Sequence, residues 1–485
     1  MYHNINLHAV KLAAKVFILL LIVFTNLLAQ SWEIPITTNC DKAKVLFIDG
    51  RDKSENLQVA EAAESYDQAL KEDQDFALAH IYRAVTGVGG FNVIQSHVEE
   101  AMENIDKVSP GEKDLIIFLA AQLSRDQLKE KIAINNLLTS YAVNQRVQAL
   151  AGDYFYFTKD YQSALSHLNQ AIAIDSKYAS AYNMLGYTQA ELKHYDEAEQ
   201  AFKTYISLIP DSPNPYDSYA ELLLKMGKYD ESIEQYKMAL EKDRKFTVSL
   251  IGIGNNYVFK GEFFEARNYY NRCFDRTNNI NQKLSALSWI ATSYVHEGKI
   301  YDAIDVLEQR RQLAKEYDLV PDQISSLNNE GFILTEAGKP EKGWERFTFA
   351  LELLEVSTLP MDLKKSLMVE ASLDRTYSLI ANNKLSDAEE QLNNFSSTID
   401  SRDNINEKEQ YQNNLGILEL KKGDYQEALD HFQQADLSSE YTQYYMGVAY
   451  EKLGNKDRAN EYYQMVKNSH ANNVGLAIVR SRAAE

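Results

Sequence analysis

The sequence predicts an all-α chain, folded as an α-solenoid of about twelve helix–turn–helix pairs. Three observations predict it. Between residues 145 and 278 a small residue recurs at Gly152, Gly186, Ala220 and Gly254, three successive intervals of 34. Twelve residues after each comes another small one (Ala164, Ala198, Ser232, Ala266), and four further on a large one (Leu168, Phe202, Tyr236, Tyr270). A fixed period of this length marks stacked two-helix units. The small residues let two backbones approach, and the large side chain fills the hole beside them. Finally, the 485 residues hold only eight prolines, and the apolar residues do not alternate as they do in strands.

Residues 1–29 stand apart. Lys11 and Lys15 precede VFILLLIVFTNLLA, which ends at Ala29 and is followed by Gln30 and Ser31. A basic region, a short apolar run and a small residue read as a secretory signal peptide, cut after Ala29, with an uncleaved membrane anchor as the alternative. The run is short for a membrane span. The chain is therefore expected to be exported, to the periplasm first and to the cell surface or medium as alternatives.

Residues 30–144 carry three degenerate pairs. The first is marked by Gly50, Ala62, Tyr66 and Ala69. The second starts at FALAHIYRAVTG and turns through GVGGFN. The third follows Pro110. Residues 145–278 hold the four regular pairs. In 279–406 the spacing lengthens, with Ala291 and Ala303, then Gly331 and Gly343, then a weaker pair over 364–398. Longer intervals predict longer helices or loops. Residues 407–485 return to form at Gly416, Ala428 and Phe432, and again at Gly447, Ala459 and Tyr463. A last helix, from about 473 to 483, is expected to cap the open end of the array. The segment TNNINQ at 277–282 is the clearest break in the pattern. Asn214–Pro215 reads as a helix start, with Asn as the cap and Pro in the first turn.

The net charge of −20 argues against nucleic acid and against anionic lipid surfaces. Two cysteines, Cys40 and Cys273, are far apart in a linear array and do not form a disulfide framework. Cys273 falls at a small-residue position and reads as a buried thiol.

The recurring marks resemble the tetratricopeptide (TPR) family, closely over 145–278 and 407–466 and more loosely across 41–468. Asn-Pro-Tyr-Asp-Ser-Tyr-Ala-Glu at 214–221 and the Ala-Gln signal junction look like exported TPR proteins of Bacteroidetes-type bacteria. The resemblance implies a right-handed solenoid whose first helices line a concave groove. It places in that groove Arg146, Asp153, Tyr156, Phe157, Asn183, Tyr187, Asp217, Glu221, Asn255 and Phe259. Rings beside amides and carboxylates can hold an extended peptide. The implied function is a non-catalytic exported scaffold for protein or peptide partners. A regulatory or recruiting subunit of an envelope enzyme or secretion complex is the alternative. The Lys/Asn/Arg clamp with which some TPR domains hold a terminal carboxylate is absent, since Ala149 and Asp153, Asn183 and Tyr187, and Asp217 and Glu221 stand in its places.

No catalytic, cofactor or metal set emerges. Asp217 and Glu221 share a helix face, so a hydrolase using these carboxylates is the remaining enzymatic reading. GIGNN at 252–256 lacks the preceding strand and third glycine of a dinucleotide site. Asp211, Asn214 and Asp217 lack the glycine and the terminal bidentate Glu of a calcium loop. The nine histidines form no HxxxH pair.

Overall fold

The computed structural model describes residues 33–402 and 404–484, so the signal-peptide reading of 1–29 lies outside the described residues. Among them the chain is all helical, with 25 α-helices, a short 3₁₀ turn at Ile105–Lys107 and no strand. Twelve consecutive pairs account for all but the last helix. The degenerate region holds α1 (Asp41–Glu55) with α2 (Val59–Glu72), α3 (Ala77–Val85) with α4 (Phe91–Glu103), and α5 (Pro110–Ser124) with α6 (Gln127–Ser140). The regular block holds α7 (Gln145–Phe157) with α8 (Tyr161–Ile174), and α9 (Ala179–Glu191) with α10 (Tyr195–Leu208). It continues through α11 (Asn214–Lys225) with α12 (Tyr229–Lys242), and α13 (Val248–Phe259) with α14 (Phe263–Arg276). Then come α15 (Ile280–His296) with α16 (Ile300–Glu316), α17 (Val320–Glu336) with α18 (Pro340–Val356), and α19 (Met361–Ala381) with α20 (Leu385–Arg402). The last pairs are α21 (Ile405–Lys422) with α22 (Tyr425–Phe432), and α23 (Glu440–Lys452) with α24 (Lys456–Lys467); the unpaired α25 is Val474–Arg482. The lengthened spacing is taken up by helix: α15 to α18 have 17 residues each and α19 has 21, against 12 to 14 in the regular block.

The packing rule inside seven of the twelve pairs is a ring or branched side chain sixteen residues after a glycine. A Cβ added at Gly186 would meet the Phe202 ring at 2.6 Å, and one at Gly254 would meet Tyr270 at 2.3 Å. The same spacing joins Gly50 to Tyr66, Gly331 to Phe347 and Gly416 to Phe432. Phe202, Tyr236 and Tyr270 are fully buried. The turn between the helices of a regular pair requires a left-handed residue, which Gly227 and Gly261 supply without strain. At the same phase, Lys159 and Lys193 hold φ near +63°, a conformation that costs an ordinary side chain about 1 kcal/mol or more.

Asn214 is not a cap. Helix α11 is preceded by Pro213 with no side-chain cap, and the Asn214 amide is buried and donates to the Tyr205 hydroxyl at 2.9 Å. The local signature was right about the helix start, but the amide turns inward to a buried phenol. The break expected at 277–282 is a loop of three residues between α14 and α15. One apolar core runs through it, joining Leu250 and Tyr270 to Ala286, Leu287 and onward to Val479. Cys273 is fully buried, and both cysteines are free thiols.

The array winds back on itself. Asn92 on α4 donates to Asp318 before α17 at 3.1 Å. Lys129 on α6 meets Asp362 on α19 at 3.1 Å, and Arg125 beside it meets Glu370 at 3.2 Å. Lys159, between α7 and α8, reaches Glu409 on α21 at 2.7 Å and Asp436 at 2.9 Å. The third pair thus touches the tenth and the fourth the eleventh, so one superhelical turn takes about seven pairs. Helix α25 does not merely cover the last pair. It folds inside the turn against α15, α17 and α23, burying Leu476, Ala477, Ile478 and Val479. Among the described residues no helix is long and apolar enough to cross a membrane.

Candidate functional site

Winding encloses space. The first helices α7, α9, α11 and α13 supply most of one wall, with Tyr161, Tyr195, Phe202 and Tyr236 reaching it from the second helices. The next first helices, α15 and α17, contribute Trp289 and Phe332. The third wall comes from the C-terminal end of the chain, residues 436–443 and 461–475. Between them lies a cavity of about 1670 Å³.

A repeat of 34 makes the first wall a ladder, with Asp153, Tyr187, Glu221 and Asn255 as one rail. Rungs are bonded across repeats: the Tyr187 hydroxyl donates to Glu221 Oε2 at 2.6 Å, and Lys225 pairs with Glu191 at 2.7 Å. Asp217, one helical turn before Glu221, is buried and accepts from the Ser249 hydroxyl at 2.5 Å. Burial, and then the charge of Glu221, push the Asp217 carboxyl up to about 8. Enclosure also raises Glu221, although the Tyr187 hydrogen bond opposes it. Among the described residues no cation pairs with either.

The ionisation of Asp217 has a readable consequence. In the unfolded chain its carboxyl ionises near 4, whereas in the folded chain it holds its proton to about 8. The stability it contributes is therefore fully present below about pH 4 and lost as pH rises towards 8. The Asp217→Asn protein is expected to lose less melting temperature between pH 5 and pH 8 than the parent. Parallel melting curves for the two proteins would show that this carboxyl is ionised throughout.

Of the ten residues expected in the groove, Tyr156, Tyr187, Asp217, Glu221 and Asn255 line the cavity. Arg146 does not. It is held by Glu55 of the first pair at 2.7 Å and stands over the Tyr178 ring. Asp153 is enclosed, with Oδ1 unpaired, and burial raises it to about 7. Asn183 likewise keeps a buried, unpaired Oδ1. Phe157 points outward and is 65 % exposed. Phe259 is covered by the chain itself, between His470, His296 and the Arg480 guanidinium. The physical reason is common to most of these. The groove arithmetic describes an open array, while neighbouring turns and the C-terminal segment occupy parts of its face.

Family models described as tetratricopeptide repeat match residues 158–222, 410–435 and 441–473. The chain is a tetratricopeptide-repeat protein. Among curated proteins, this TPR chain is 22 % identical over 259 residues to anaphase-promoting complex subunit 3 of Schizosaccharomyces pombe, covering 53 % of this chain and 37 % of that one. It is 26 % identical over 138 residues to superkiller complex protein 3 of Homo sapiens, covering 27 % and 9 %. The TPR chain thus spans well under half the length of the curated relatives it matches. Similar solved structures include PilW, described as a type IV pilus biogenesis factor (19 % identity, 46 % of this chain and 98 % of that one, TM-score 0.33). A TPR protein from Parabacteroides merdae is 14 % identical, covers 59 % and 100 %, and has a TM-score of 0.34.

Sequence reasoning missed the far walls of the TPR cavity. Nothing in the periodicity of 468–473 marks it as a groove occupant. Yet the Asn472 amide donates to Asn255 Oδ1 at 3.0 Å and its oxygen lies 3.0 Å from His296 Nε2. A second missed feature is a buried carboxylate, Glu336 at the end of α17. It accepts from the Tyr377 and Tyr441 hydroxyls on Oε1 and from Arg482 Nη1 at 2.6 Å on Oε2.

Proposed function

We propose that this TPR protein is an exported scaffold that receives a segment of a partner protein in the open cavity between its windings and catalyses no reaction. The cavity carries the reading. At about 1670 Å³ it exceeds the roughly 300–1,000 Å³ of small-molecule pockets. Tyrosine rings alternate on its wall with amide and carboxylate groups, a combination that takes apolar side chains and backbone of an extended chain. The non-catalytic part of the reading rests on the tetratricopeptide-repeat matches, because such repeats are scaffold helices. Export rests on the basic, apolar and small-residue order of residues 11–29.

The test replaces Tyr156 and Tyr187 together by Ala and installs a photo-crosslinking residue at Trp289 in both proteins. A partner crosslinked in the parent at Trp289, and lost in the double variant with helical circular dichroism unchanged, is the expected result. Crosslinking that persists would take the partner away from this cavity. N-terminal sequencing checks export: the mature chain is expected to start at Gln30.

A second reading, a recruiting subunit of a larger assembly, is favoured by one observation. Both curated relatives carry the names of complex components. It differs in predicting a stoichiometric partner that stays bound through purification.

A further inference from the structure

The interior of the superhelix already contains one seated cation. Glu336 accepts tyrosine hydroxyls on one oxygen and the Arg482 guanidinium on the other. Tyr441, one of those tyrosines, also lines the cavity, as does Phe332 beside it. Across the cavity, Glu221 repeats half of this arrangement. Its Oε2 accepts the Tyr187 hydroxyl, Glu221 is exposed to the cavity, and among the described residues no arginine, lysine or histidine nitrogen pairs with it. Asp217 stands one turn away on the same face, bonded only to a neutral hydroxyl.

Of the other four carboxylates of the cavity, three are paired with cations and the fourth is held by neutral donors. Glu191 is paired with Lys225, Asp436 with Lys159 and Glu461 with Arg458. Glu440 accepts from Ser469 and Asn473. Asp217 and Glu221 are therefore two neighbouring acids without a counter-charge, facing rings that suit a planar cation.

We propose that the cavity seats an arginine side chain of a partner segment, its guanidinium held between Asp217 and Glu221 as Arg482 is held by Glu336. The inference rests on the peptide-binding reading above and names the residue that the partner presents. A guanidinium can donate to both side chains at once, and its charge would take the place of the proton that burial keeps on Asp217. Its stem would lie along Tyr187 and the wall of Trp289 and Phe332.

The probe is a random dodecapeptide library displayed on phage, selected against the full chain and against its Asp217→Asn, Glu221→Gln double variant. Selection on the parent is expected to enrich Arg at one position, and selection on the double variant to lose that enrichment. The best peptide is then synthesised with Arg and with citrulline, which keeps the shape and removes the charge. Binding to the parent is expected to fall roughly thirtyfold or more with citrulline, and to change little on the double variant. Because the citrulline comparison needs only the parent protein, misfolding of the variant cannot imitate the result. Peptides that bind without a cation, or that bind equally with citrulline, overturn the arginine seat and leave the peptide-binding reading standing. A library that yields no binder at all overturns both.

Discussion

Ending the chain after Asn473 is expected to loosen the protein far from the cut. Helix α25 buries Leu476 and Val479 completely and Ile478 nearly so, and its neighbours are α15, α17 and α23 rather than the pair that precedes it alone. Burial of each large apolar side chain is worth about 1.5–3 kcal/mol, so the loss is on the order of 5 kcal/mol. In a repeat array that loss stays near its source. Amide hydrogen exchange should therefore accelerate in α15, α17 and α23, while α1 to α6 keep their protection. An unchanged exchange pattern in α15 would mean that α25 rests on the interior without supporting it.

The second large effect is expected at Glu336. Its side chain is 4 % exposed and gathers Tyr377 on α19, Tyr441 on α23 and Arg482 on α25. One carboxylate at the end of α17 thus ties four helices that are distant in sequence. Glu336→Ala leaves a guanidinium and two phenols without their acceptor. Breaking a buried ion pair costs about 3–5 kcal/mol. Arg482 is one-third exposed, so the lower end applies, about 3 kcal/mol by urea denaturation. Pairing the change with Arg482→Met should recover part of the loss, since the uncompensated cation is then gone. Additive losses in that cycle would show that the two groups do not interact.

The repeat itself was legible because it is local. A small residue, another twelve on and a ring four further lie within one pair, and Gly186, Ala198 and Phe202 meet as that spacing requires. The same logic reached α25 within a residue or two and gave the twelve pairs. It also selected the inward face of α9 and α11, where Tyr187, Asp217 and Glu221 stand. It erred where a side chain answers to something outside its own pair. Asn214 follows a capping pattern but serves the Tyr205 hydroxyl. Phe259 has the phase of a groove residue but is covered by His470 and Arg480 from the end of the chain. Contacts between positions more than two hundred apart, such as Asn255 with Asn472, arise from the pitch of the superhelix. Pitch accumulates from small rotations at every pair, and no single window of sequence carries it.

The seam between turns differs in kind from the packing within them. It joins partly exposed ion pairs and amide contacts (Arg125 with Glu370, Lys129 with Asp362, Asn92 with Asp318, Lys159 with Glu409) to an apolar anchor, Phe91 of α4 against the clusters of α15 to α19. Pairs of this sort contribute about 0–1 kcal/mol each and weaken as salt is added. Along the stack of helices, by contrast, the chain is tied by buried rings. The molecule is thus a coil spring, stiff in its wire and compliant between its windings, with α25 pinned inside by apolar contacts. Because the cavity lies between windings, its aperture is expected to widen as added salt weakens the seam.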